Sequence, residues 1–260
     1  MLRDWREDRR RSQMDLALEA GVSTRHLSYV ETGKAKPSPE LVLALAEHLD
    51  VPLRERNAML LAAGYAPRYR QTPLGDDALR SVRAALTELV RAHDPYPAVV
   101  VDRGWDLVMA NTGAQSLLAG VAEHLLQPPL NVYRVTLHRD GMAGRIENLD
   151  ERAHHLLGTL DRQVAVTRDP RVRALLDEVS AYPTVIGLDG SWRTRSGTPS
   201  VIVPLQLRVV DDRGEAMVQS WFSTNTSFGT PVDITLDELH VELFHPADEA
   251  TAAMVGGRIA

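Results

Sequence analysis

Residues 12–34, SQMDLALEAGVSTRHLSYVETGK, constrain the fold more than any other stretch of the chain. Ser12 is placed to cap a helix with Asp15 at its third helical position, a variant of the capping box, and Leu16, Ala17 and Ala20 follow at helical spacing. Gly21-Val22 makes a tight break, Ser23 caps the next segment, and Leu27 and Val30 give it an i, i+3 apolar pair before Gly33. A helix, a glycine turn that allows close crossing and a second helix with a polar outer face make the layout of a helix-turn-helix. With Leu16, Ala17, Val22, Leu27 and Val30 turned inward, Thr24, Arg25, His26, Ser28 and Tyr29 face outward. These five, with Ser23 at the helix start, are the expected DNA-contacting residues. Arg25 leads as a base reader because its fork matches guanine O6 and N7; Thr24, Ser28 and Tyr29 stand second. Gln13, beside the free N–H groups that open the preceding helix, is expected to hold a backbone phosphate. On pattern alone, the same residues also fit a small helical hairpin with a solvated face.

The flanking sequence extends this unit. Residues 2–11 read as a helix, Ser38-Pro39 opens another with Leu41, Leu45 and Leu49 on its buried face, and Val51-Pro52 opens a fifth that ends at Gly64. Residues 1–65 are thus an expected all-α five-helix domain. Residues 66–76, APRYRQTPLGD, read as a linker, and Leu79, Val82, Leu86, Leu89 and Val90 define a connecting amphipathic helix over 77–93. Residues 94–250 then switch to a β pattern. A hairpin is expected over 98–110 around Asp102-Arg103-Gly104, and strands over 201–210, 217–226 and 240–244, with a DDRGE turn at 211–215. Helices are expected over 111–126, 147–166 and 170–181. The whole is α+β, its second domain an antiparallel sheet with flanking helices.

Charge follows the same division. Residues 1–70 hold 12 Arg and Lys against 10 Asp and Glu, whereas residues 71–260 hold 17 against 25, so the net −6 arises wholly from the second part. An acidic second domain limits non-specific adhesion to DNA and leaves phosphate contacts to a local basic patch. The absence of cysteine removes disulfides, thiol nucleophiles and thiolate zinc sites. No apolar run reaches the ~18 residues of a membrane span, and the charged start MLRDWREDRRRSQ does not suit a secretory signal, so a cytoplasmic protein without a membrane partner is expected. No catalytic constellation is found. His154-His155 and His240 with His245 lack metal-ligand spacing, Gly187–Gly190 is a turn without a phosphate-loop pattern, and neither Ser191 nor Ser223 sits in a nucleophile elbow.

The SQ at helix two, AGVS at the turn, ETGK after the recognition helix, PSPELVLALAEHL and LRERNAMLLAAGYAP together resemble the xenobiotic-response-element/Cro type of helix-turn-helix regulator. The resemblance implies DNA binding, and it places Thr24, Arg25, Ser28 and Tyr29 at positions that face bases. PYPAVVVDRGWDLVMAN, LNVYRVTLHRDG and FGTPVDITLDELHVELFHPADEAT resemble the MmyB-like ligand-binding domain of such regulators. That likeness implies a PAS-like fold and a small, fatty-acid-like ligand; no cofactor is expected. The residues expected to meet the ligand are Trp105, Asn111, Tyr133 and Trp221, with Arg134 or His138 for an acid head; Asn111 reads first as a helix N-cap. A homodimer on an operator is expected, since one short recognition helix reads too few base pairs. Two other readings stay open: a PAS-like sensor holding a cofactor, and a second domain that only dimerises.

Overall fold

The computed structural model describes residues 1–187, 203–210 and 214–256. The start of the strand expected from 201, residues 188–190 of the expected turn, Ser191 and residues 211–213 of the DDRGE turn lie outside the described residues. The chain forms two compact units, Met1–Asp76 with Gly229–Asp237, and Asp77–Phe228 with Glu238–Ala260.

The first unit is built from α1 (Leu2–Asp8), α2 (Gln13–Glu19), α3 (Thr24–Glu31), α4 (Pro39–His48) and α5 (Leu53–Ala62). Ser12, Ser23 and Ser38 each stand at an N-cap, where the hydroxyl accepts from the N–H of Asp15, His26 and Leu41. Each cap satisfies one of the donors a helix start leaves open, worth about 1 kcal/mol. After α2 the chain turns through Gly21 at φ +66°, with Val22 N–H donating to Ala17 O and Gly21 N–H to Leu18 O. This paired ending needs a left-handed residue, which glycine supplies without a Cβ clash. Gly33, at φ +71°, ends α3 the same way, with Lys34 N–H donating to Tyr29 O. The helices close over Trp5, Leu16, Leu27, Leu45, Leu49 and Leu60, all nearly sealed from solvent. Val42 and Ala46 join Leu45 on the buried side of α4, while Leu41, expected there, is only half-buried. Truncating any of these core leucines to alanine costs about 2–5 kcal/mol.

Residues 229–237, which the sequence reading assigns to the second domain, group with this first unit. The buried Asp233 carboxylate accepts from Thr72 N–H and, at 2.6 Å, from the Thr72 hydroxyl. Ile234 N–H donates to Arg70 O at 2.8 Å and opens α13 (Ile234–Asp237). Asp237 accepts the Leu53 N–H that starts α5, where Pro52 at the N-cap offers no side-chain acceptor.

The second unit is a five-stranded antiparallel sheet in the order β2-β1-β5-β4-β3, from β1 (Ala98–Val101), β2 (Leu107–Ala110), β3 (Leu205–Val210), β4 (Ala216–Ser227) and β5 (His240–Pro246). Its helices are α6 (Arg80–Ala92), α7 (Thr112–Leu117), α8 (Glu123–Leu126), α9 (Val132–Leu137), α10 (Leu149–Thr167), α11 (Pro170–Ser180), α12 (Pro183–Ile186) and α14 (Glu249–Gly256). The single helix expected over 111–126 is two, broken at Gly120. Helices α9, α12, α13 and α14 lie outside the sequence expectation. On α10, Ala153, Leu157, Leu160 and Val164 pack with Val172, Leu176 and Val179 of α11 into a helical core. A second core joins Val135, Ile146, Leu205, Leu207 and Trp221 between sheet and helices. Arg103, in the β1–β2 turn, is buried against Asp169 at 2.7 Å and Glu238 at 3.0 Å, so its charge is neutralised where it is desolvated.

Candidate DNA-reading helix and ligand cavity

The outer face of α3 carries the residues expected to meet DNA. Arg25 is exposed; its Nε donates to the Tyr29 hydroxyl at 3.0 Å and its guanidinium lies 5.4 Å from the Tyr29 ring centroid. The Lys34 ammonium approaches the same ring at 6.0 Å. Tyr29 thus braces Arg25 one helical turn away and gathers two cations on one face, the charge that phosphates select. Thr24 is exposed and Ser28 and His26 half-exposed, while the Ser23 hydroxyl is engaged as the α3 cap. Gln13 does not stand free: its side-chain amide donates to Glu31 at 2.7 Å. The Glu31 carboxylate, almost wholly buried, also accepts from Arg6 at 2.6 and 3.0 Å, so α1, α2 and α3 are tied at one carboxylate. Burial pushes the Glu31 carboxyl up, but the hydrogen bonds from Arg6 and Gln13 and the Arg6 charge outweigh it and hold the group below the usual carboxylate range.

In the second unit, a cavity of ≈ 140 Å³ lies against the sheet. Alternation along the strands brings Val99 from β1, Ser223 and Asn225 from β4, and Glu242 and Phe244 from β5 to it. Register sets Glu242 beside Val99 on one side and Asn225 on the other. Another wall is α10, which offers Arg152, His155, Leu156 and Thr159 at i, i+3, i+4, i+7 spacing, with Leu156 also packed against the helical core. Leu130, Val132, Tyr133 and Thr136 close a third side. Burial, then the Arg152 charge, pulls the His155 pKa down, which favours a neutral imidazole at pH 7.

Of the residues expected at the ligand, Trp105 and Tyr133 line this cavity with their rings 4.9 Å apart, and the Trp105 indole N–H donates to Gln163. Asn111, Arg134, His138 and Trp221 do not line it. Asn111 caps α7, accepting from Ala98 N–H and Ala114 N–H while its amide donates to Val90 O and Tyr96 O. Arg134 forms a two-pronged surface pair with Glu178, at 2.8 and 2.7 Å. Trp221 is sealed in the sheet core. His138 stacks edge-on against His124 and Tyr182, and its Nδ1 accepts from Asp140 N–H at 3.1 Å. His124, His138 and Asp140 bring donor atoms within 4.8 Å of one another, yet ligation through His138 Nδ1 would require breaking that hydrogen bond. Among the cavity residues missed from sequence are Arg152, His155, Asn225 and Glu242.

Comparison with known proteins gives two family matches. The family described as MmyB-like transcription regulator ligand binding domain matches residues 82–256, and the helix-turn-helix family matches residues 2–56. No curated protein matches the chain. Among solved structures, the chain is similar to an RNA-binding light-oxygen-voltage receptor at 14% identity, over 95% of this chain and 57% of that one, with a TM-score of 0.25. An overlay that weak carries no argument about fold or function. Among the described residues, no helix is long and apolar enough to cross a membrane.

Proposed function

Because the chain belongs to the MmyB-like family of transcription regulators and carries a helix-turn-helix ahead of their ligand-binding domain, we propose that it is a cytoplasmic, homodimeric, sequence-specific regulator whose second unit binds a small, fatty-acid-like molecule that alters operator affinity. The observation that carries this reading is where the cavity sits in the chain path. Strands β4 and β5 both line it, and the connection between them, residues 229–237, belongs to the DNA-binding unit. A molecule that shifts these strands therefore acts on the ends of a segment anchored through Asp233 and Asp237 beside α5. The connecting helix α6 is the other route considered. It buries Leu86 and Val90 and packs on β1 within its own unit, with Leu89 left exposed.

The cavity resembles in size the ~150 Å³ spaces that admit a benzene-sized molecule. A longer acyl chain enters as flexible lining side chains such as Leu156 and Met142 change rotamer. The reading is tested by denaturing the purified protein, extracting it and analysing the extract by mass spectrometry and absorbance. An apolar acid in near-stoichiometric amount is expected. A flavin or haem instead would replace the reading with a cofactor-bearing sensor.

A further inference from the structure

An apolar chain alone leaves two buried polar groups of the cavity wall without partners. Arg152 of α10 is 8% exposed; one Nη reaches the Val203 carbonyl at a long 3.4 Å, and among the described residues no carboxylate pairs with it and its buried Nε has no hydrogen-bond partner. Tyr133 of α9 is 2% exposed, and its hydroxyl has no hydrogen-bond partner either. Burial, then the Glu242 charge, drives the Tyr133 phenol far above its usual range against the opposing pull of Arg152 and Arg162, so its O–H stays on. Both residues line the same cavity. A desolvated guanidinium and a desolvated O–H, both donors, are strongly unfavourable without an acceptor, and the acceptor that suits a cation and a donor together is an anion.

We propose that Arg152 and Tyr133 form the head site for the acid end of the fatty-acid-like molecule proposed above, Arg152 donating through the guanidinium and Tyr133 through its hydroxyl. The apolar body then lies against Leu130, Leu156 and Phe244. Glu242 faces the same cavity from the central strand and repels the head from the sheet side, which orients the acid toward α10. Arg134 and His138 take no part, since the first is paired with Glu178 and the second lies with Asp140 outside the cavity. The head site rests on the reading that this cavity is the ligand site.

Calorimetric titration of the full-length protein with octanoic acid, 1-octanol and octylamine tests it. The acid is expected to bind about tenfold or more tighter than the alcohol, the usual scale of a charge-assisted hydrogen bond, and R152Q to erase that preference. R152K keeps part of it, Y133F weakens acid binding several-fold and alcohol binding less, and E242Q tightens the acid. Equal binding of acid and alcohol by the wild type, or a folded R152Q that keeps the preference, overturns the head site while the cavity reading survives. The amine binding tightest overturns it in favour of Glu242. Failure of all three probes to bind overturns the cavity reading and the head site together. If R152Q does not fold, the acid-to-alcohol ratios of wild type and Y133F decide.

Discussion

Arg25 and Glu31 lie on one short helix and serve it differently. Arg25 is exposed, and its contacts with Tyr29 favour one direction of the guanidinium before any contact with DNA. Arg25→Ala is expected to cost about 1–3 kcal/mol in operator binding and to relax preference at one base pair, read by a competition assay over randomised sites. Tyr29→Phe, which removes the brace, should weaken binding less and shift preference less; an unchanged preference profile for Arg25→Ala would remove its base-reading role. Glu31, by contrast, holds α1, α2 and α3 together. Its carboxyl is held below the usual range of about 4.3, so the stability it supplies is full above that pH and is lost as pH falls through the lower folded value. Urea titrations at stepped pH should show acid weakening of the first unit below about pH 4.3 that is flattened in Glu31→Gln. Glu31→Gln should also destabilise at neutral pH by up to about 3–5 kcal/mol, because buried Arg6 then keeps only its longer 3.7 Å pair with the half-exposed Glu7. Gln13 shares that carboxylate, so a phosphate contact through it must first compete with Glu31.

At the scale of elements, the capping residues decide where helices begin. Asn111 satisfies two N–H donors and two carbonyls at the junction of β1, β2, α6 and α7, and Asn111→Ala leaves all four buried without it. Thermal or urea unfolding is expected to report a loss of about 2–4 kcal/mol from the second unit, more than a surface cap gives. The helices of the first unit are readable from sequence because their signals are local: a serine, three residues to the N–H that donates to it, and a glycine where φ turns positive. The α+β class and the three late strands were readable from period-two alternation. Helix α9 was not, because its six residues are too short for a period, and its Asn131 cap lies inside an apolar run. Arg152 and His155 fall on the same face of α10 as Leu156 and Thr159, but nothing in the sequence says that this face meets a cavity and not water. Arg134 and His138 were the expected acid partners because they are basic residues in an apolar run; each instead has its own nearby partner.

At the scale of the whole molecule, the path of the chain matters more than either unit's contents. It leaves the second unit after β4, contributes residues 229–237 to the first, and returns as β5. Asp233 and Thr72 meet across 161 positions, a pairing that no local pattern foretells. Asp233→Ala is expected to leave octanoic acid binding intact while shrinking its effect on operator affinity, measured by paired titrations. A full response in the variant would move the coupling to α6. Two copies of α3 are needed to read a site of useful length, so a dimeric mass with operator and a roughly palindromic footprint, half-sites about one DNA turn apart, are expected. A monomeric mass with an asymmetric footprint would remove the dimer. Most directly, the account stands on operator affinity measured with and without saturating octanoic acid, together with acid affinity measured with and without operator. Linkage requires both to change by one shared factor, about 5–150-fold. Acid that binds the cavity while operator affinity stays the same would contradict the account.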